Sequence, residues 1–232
     1  MTQTNKDTRP IQLLSYAYFA MALVEIIAEG IKYKPLILFS RIALPILLMT
    51  IYRLKSKKPK FLFYLLMVLL LISNVFFANE SPTIFHAAIL IFILHRITLI
   101  VLVFQLIPKK NYLYILLATF PFLVIFFYLI SVTNEISDSQ FNVLILQSIL
   151  TSVLSGLALS SYLVADNRQN SWLLISALLL IGLRFIIFIE EYFLYDLSSP
   201  LYRPIIVLLY VFAFFTFYKF VIAAETNETN PA

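Results

Sequence analysis

Inside the apolar run LLLIGLRFIIFIEEYFL, residues 178–194, stand one arginine and two glutamates: Arg184, Glu190 and Glu191. Three more charged residues, Glu25, Arg41 and Arg96, lie in apolar runs elsewhere, with His95 beside the last. Each such residue costs at least about 2.5–3.5 kcal/mol near a bilayer centre on insertion scales. Three bases and three acids cancel formally, which favours one interior polar cluster over six separate penalties. Two kinds of chemistry suit such a set. A carboxyl in dry surroundings can act as a general acid. Arginines can hold a phosphate or another anionic head group.

The surrounding elements are membrane helices. Of 232 residues 62% are hydrophobic and 12% charged, with a mean hydropathy of +0.94. Soluble domains carry roughly twice that share of charge. A span needs roughly 20 apolar residues, and eight segments approach it: 11–31, 35–52, 61–78, 83–107, 112–132, 141–164, 172–196 and 204–223. Short connections make successive helices antiparallel neighbours. The expected fold is therefore an all-α, polytopic bundle of eight transmembrane helices over 11–223, with tails at 1–10 and 224–232. The turn at Lys34-Pro35 is the least defined boundary. Of the basic residues other than Arg41, Arg96 and Arg184, eleven fall on the side of the two tails and three, Lys32, Lys34 and Arg203, on the other. By the positive-inside rule both tails are expected in the cytoplasm. Nucleic-acid binding is not expected from the net charge of +5, because the basic residues sit in short loops.

Depth brings the charges together. At 1.5 Å per residue, Glu25, Arg41 and Glu191 lie roughly 8–9 Å below the outer ends of their helices, near Asn74 and Gln147. His95, Arg96 and Arg184 lie roughly 18 Å down, near the midplane. Side chains lean toward their helix N-terminus, so Arg41 and Arg96 lean outward while Glu25 and Glu191 lean inward. The two sets should meet in the outer half of the bundle. Seven residues at about 100° each return Glu191 to the face of Arg184, so Glu191 is the inward carboxylate and Glu190 the more interfacial one. Paired charges can also serve helix packing alone, and that reading stays open beside the functional one.

Other features exclude chemistry. The chain has no cysteine, and its three glycines, 30, 156 and 182, form no phosphate loop and no GxxxG motif. No metal site or cofactor is expected. The polar start MTQTNKDTRP does not read as a cleavable signal. The serine-rich stretch 150–161 reads as close helix packing, and His86 as an interfacial residue.

Several stretches resemble the YhhN-like, or lysoplasmalogenase, family of eight-span membrane proteins. ALVEIIAEGIKYKPLILF is similar to the family's early segment ending in Lys-Pro-Leu, and IFILHRITLIVLVF to its His-containing helix, with His95 in the matching place. LLLISNVFFA stands where the family has a Gly-Asp pair, and SALLLIGLRFIIFIEEYF aligns with its second signature. Tyr210 and Ala213 fit its closing pattern. The family's two intramembrane aspartates correspond to Asn74 and Arg184, and its later Asn-Lys to Glu190-Glu191. The resemblance implies a bacterial cytoplasmic membrane, a membrane lipid or lysophospholipid as partner, and hydrolysis of the vinyl-ether bond of lysoplasmalogens. That reaction protonates the vinyl ether at carbon, and water captures the oxocarbenium ion. With both aspartates replaced, Glu191 becomes the acid to expect, assisted by Glu25 or His95. The alternative is a non-catalytic lipid binder or sensor in which Arg41, Arg96 and Arg184 hold a lipid phosphate. A small transporter is a third reading, weakened because the helices run mostly uninterrupted and no repeat is evident.

Overall fold

In lipid a backbone must satisfy its own polar groups, so long apolar runs become helices. The computed structural model of the chain describes residues 9–78, 81–108, 110–133, 138–193 and 202–229, without the side chains of Pro82, residues 138–140, Glu191, Glu228 and Thr229. The protein is an all-α bundle of eight helices, with no strand among the described residues: α1 (Arg9–Gly30), α2 (Lys34–Lys55), α3 (Phe61–Phe77), α4 (Pro82–Leu106), α5 (Tyr112–Val132), α6 (Asp138–Val164), α7 (Arg168–Tyr192) and α8 (Tyr202–Thr229). Seven are long and apolar enough to cross a membrane. The eighth, α3, is apolar but has 17 residues. It rises about 25 Å, short of the roughly 30 Å hydrocarbon core. The chain is a multi-pass integral membrane protein.

Local chemistry sets the helix ends. Asn111 caps α5 by accepting from the backbone N–H groups of Leu113 and Tyr114 at 3.1 and 3.3 Å, and Asn167 caps α7 through Asn170 N–H at 2.9 Å. The α1–α2 turn closes with a Schellman pair: Tyr33 N–H to Ala28 C=O at 3.0 Å and Lys32 N–H to Glu29 C=O at 3.2 Å. Lys32 occupies the left-handed position of that motif, at φ 55°. Pro35 opens α2 in the first turn, where its missing N–H costs nothing. This resolves the boundary that the sequence left least defined.

The helices are not arranged as a simple serial bundle. Seven of them make a closed ring in the order α1, α2, α3, α4, α6, α7, α8, each packed on the next and α8 returning to α1. α8 also touches α2 and α4 across the ring. α5 stands outside, packed lengthwise on α6, with Phe126 stacked on Phe185 of α7 at 5.2 Å. Half of the apolar window of α8, which touches helices across the ring, is enclosed, against 22% for α5 and for α1. A Cβ at Gly156 of α6 would stand 1.9 Å from Thr119 Oγ1 of α5 and 2.8 Å from its backbone nitrogen. Only glycine permits that approach, the small-residue contact by which membrane helices pack closely.

The apolar core fills the half of the ring nearest the two tails, where Phe63 of α3 stacks on Phe217 of α8 at 6.4 Å. There α8 reaches well past the apolar segment ending at 223. Its 28 residues rise about 42 Å. Glu225, on this extension, is buried and accepts from the Tyr52 hydroxyl through Oε1 and from Ser56 Oγ through Oε2 at 2.6 Å. Asn227 Nδ2 donates to Gln169 Oε1 at 2.9 Å, and Gln169 Nε2 to Leu106 C=O at 3.0 Å. These bonds tie the ends of α2, α4, α7 and α8 together.

Candidate functional site

At the other end the ring does not fill. A cavity of about 550 Å³ is walled by all seven ring helices. It includes Glu25 and Glu29 of α1, Arg41 of α2, Asn74 of α3, Arg96 of α4, Gln147 of α6, Arg184 of α7, and Arg203 and Tyr210 of α8. The remaining wall is largely apolar, from Leu70, Ile89, Phe92, Leu183, Ile187 and Val207 among others. Exposed Phe77, Phe85, His86 and Arg203 mark the rim, so the cavity opens at the end opposite the tails. Its size is that of a small-molecule site, and a few polar groups in an apolar wall fix orientation in such sites.

One wall is a network centred on Arg41. Its Nε donates to Glu25 Oε1 at 3.3 Å and its Nη2 to Glu29 Oε1 at 2.7 Å. The Schellman turn makes this possible, because it folds the start of α2 back beside the last turns of α1. Asn74 Nδ2 donates to the Arg41 backbone C=O at 3.2 Å and to Tyr210 Oη at 3.3 Å, which links α3 and α8 to the same wall. Glu25 is 3% exposed, and its second oxygen, Oε2, has no hydrogen-bond partner among the described residues.

The facing wall is basic. Arg96 is 6% exposed, its guanidinium lies 5.1 Å from the centre of the Phe92 ring, and its Nη1 has no hydrogen-bond partner among the described residues. Arg184 approaches Arg96 closely enough for their charges to oppose each other. In the ring order α1 and α4 stand on opposite sides, so the acidic residues of α1 and the arginine of α4 line different sides of the cavity. Nearer the rim, Arg203 Nε meets Glu190 Oε1 at 2.8 Å.

The structure thus gathers Glu25, Arg41, Asn74, Arg96 and Arg184 around one space, and Gln147 with them. Arg41 and Glu25 meet as their depths and leanings suggest. His95 does not line the cavity. It is 1% exposed, stacked on Phe92 at 5.7 Å and tilted against Phe214 at 5.8 Å, with both ring nitrogens unpartnered among the described residues. The Glu191 side chain, the acid expected from periodicity, lies outside the described residues; its backbone is in the last turn of α7. Among the described residues no cluster could hold a metal ion.

No protein-family model, curated protein or solved structure matches this chain. Function has to be read from the chemistry of the cavity.

Sequence reasoning passed over two members of the site. Glu29 was recoverable: it stands four residues after Glu25, hence on the same helix face, at Coulomb range of anything Glu25 meets. Arg203 was counted among the loop cations, and nothing in its neighbourhood marks it as a cavity residue before α8 is placed.

Proposed function

We propose that this protein binds a single-chain phospholipid of the lysophospholipid kind, with its polar head in the ring cavity. The observation that carries this reading is the cavity itself, an apolar space of about 550 Å³ lined by Glu25 and Glu29 with Arg41 and, from other helices, by Arg96 and Arg184. A ligand carrying an anionic group and a nearby N–H or O–H donor can pair with both sets of charges, and its chain can lie against the apolar wall. A zwitterionic phospho-amine head has that pattern. The positions that the YhhN-like resemblance gives to aspartates, Asn74 and Arg184, both line this cavity, which supports placing the ligand there.

The tails share one end of the bundle, and the excess of basic residues at that end supports a cytoplasmic placement in a bacterial cell membrane, with the cavity opening on the outer face.

Calorimetry on the purified protein in detergent tests the reading with three lipids of one chain length. Lysophosphatidylethanolamine should bind tightest. Lysophosphatidate, without the amine, and monoacylglycerol, without the phosphate, should each bind more weakly. Equal binding of all three would defeat the proposal.

A second reading, hydrolysis of a lysoplasmalogen vinyl ether, is favoured by one observation. Glu25 is a buried carboxyl that lines the cavity together with Tyr210, and in its protonated form it could supply the proton to carbon. Water then adds to the oxocarbenium ion, and the hemiacetal releases a fatty aldehyde and a glycerophospho-alcohol. Aldehyde release by the native protein that is lost in Glu25→Gln with the unfolding midpoint retained would support it. No release from the native protein would leave the binder reading alone.

A further inference from the structure

We infer that the α2–α3 turn, at the end opposite the cavity, is a docking site for the head groups of anionic phospholipids. The turn reads RLKSKKPK, residues 53–60, and holds no acid. Arg53, Lys55, Lys57 and Lys58 are exposed, and none forms an ion pair among the described residues. Lys219 of α8 and Arg168 at the start of α7 extend the positive field, since Lys219 lies within Coulomb range of Lys55 and Arg168. Asp166, exposed two residues before Arg168, tempers that flank, and the Glu225 carboxylate lies beneath the turn at Ser56, leaving the four exposed cations in excess.

A loose basic loop would be an ordinary solvated segment. This one is pinned. Tyr52, before the turn, donates to Glu225; Ser56, in its middle, donates to the other Glu225 oxygen at 2.6 Å; and Lys60 N–H, at its end, donates to Tyr52 Oη at 2.7 Å. Start, middle and end are thereby held on α8, and the intervening lysines are presented outward without having to be ordered on binding. The turn joins the ends of two apolar helices, α2 and α3, so its cations sit at head-group depth. Clusters of four or more bases in that position attract anionic lipid, each contributing about a fivefold gain in affinity.

Native mass spectrometry of the purified protein in detergent, with dioleoylphosphatidylglycerol or dioleoylphosphatidylcholine added, reads this directly. The native chain should retain the anionic lipid in preference to the zwitterionic one. The double substitution K57Q/K58Q should weaken retention of the anionic lipid by roughly thirtyfold and leave the other unchanged. Both side chains are exposed, and an unaltered unfolding midpoint in detergent checks that the variant is folded. Equal retention of the two lipids, or unchanged retention of the anionic lipid by K57Q/K58Q, would overturn the inference; the second result would reassign the lysines to orientation or to an acidic protein partner.

Discussion

Each end of this bundle buries carboxylates, and the two ends treat them differently. At the tail end Glu225 sits in solid packing, with a hydroxyl on each oxygen: Tyr52 on one, Ser56 on the other. At the open end Glu25 and Glu29 share one arginine, and Glu25 keeps an oxygen without a partner beside a cavity of about 550 Å³. The lesson is that burial of charge does not by itself mark a site. A satisfied carboxylate with no space beside it holds helices together. A carboxylate that lines an open cavity, with arginines of other helices around the same space, is placed to meet something that is not part of the chain.

The most severe way to break this comparison is Arg41→Leu. Two carboxylates would remain in one half-dry wall without their cation, and removing one partner of a buried ion pair costs about 3–5 kcal/mol. The midpoint of unfolding in detergent should fall accordingly, and adding Glu29→Gln should recover part of the loss. Unchanged stability in Arg41→Leu would mean that the open end is effectively solvent, and the contrast between the ends would collapse.

Next in size is Glu225→Ala, which strands the Tyr52 and Ser56 hydroxyls in packed surroundings. At about 1–3 kcal/mol for each buried group left unsatisfied, a loss of roughly 2–3 kcal/mol is expected after relaxation. Lysolipid affinity at the far end should not move. If affinity falls in step with stability, the two ends are coupled and the tail-end network belongs to the site.

The ease with which each end could be read from sequence also differs, for physical reasons. Length and hydropathy suffice to find the helices, because only a helix satisfies its backbone in lipid. Depth along each helix was enough to bring Arg41 to Glu25, since depth depends on rise per residue alone. Lateral order is another matter. Nothing in the apolar residues of α5 says that it leaves the ring; that decision is made by the Gly156–Thr119 contact and by which faces pack, and both need the neighbouring helix to be in place. His95 shows the same limit. Its depth is right for the site, but its azimuth directs it between Phe92 and Phe214. Glu225 was assigned to a tail because the apolar run ends at 223, whereas α8 continues and buries it.

Arg96→Gln sharpens the comparison from the ligand's side. Arg96 carries a buried nitrogen that no described residue satisfies, so removing its charge should leave stability unchanged or slightly raised. Affinity for lysophosphatidylethanolamine should fall about ten- to a hundredfold, the value of a hydrogen bond to a charged group. A variant that loses stability but keeps its affinity would make Arg96 a packing residue like Glu225.

The smallest effect tests the turn that builds the cavity's acidic wall. Lys32 holds the left-handed position of the Schellman motif, φ 55°, where a Cβ crowds the following carbonyl and glycine is at ease. Lys32→Gly should therefore stabilise the protein, by up to about 1 kcal/mol once glycine's extra freedom in the unfolded chain is offset. The motif's two hydrogen bonds, from Tyr33 and Lys32 to the end of α1, would be kept, and with them the approach of Arg41 to Glu25 and Glu29. Unfolding midpoint and lysolipid affinity together decide the point. A rise in stability with affinity unchanged places the strain in the turn alone. A rise in stability with a fall in affinity would show that the strained turn holds the two carboxylates and Arg41 in a spacing that the ligand needs, so that the open end, unlike the tail end, gives up stability in order to bind.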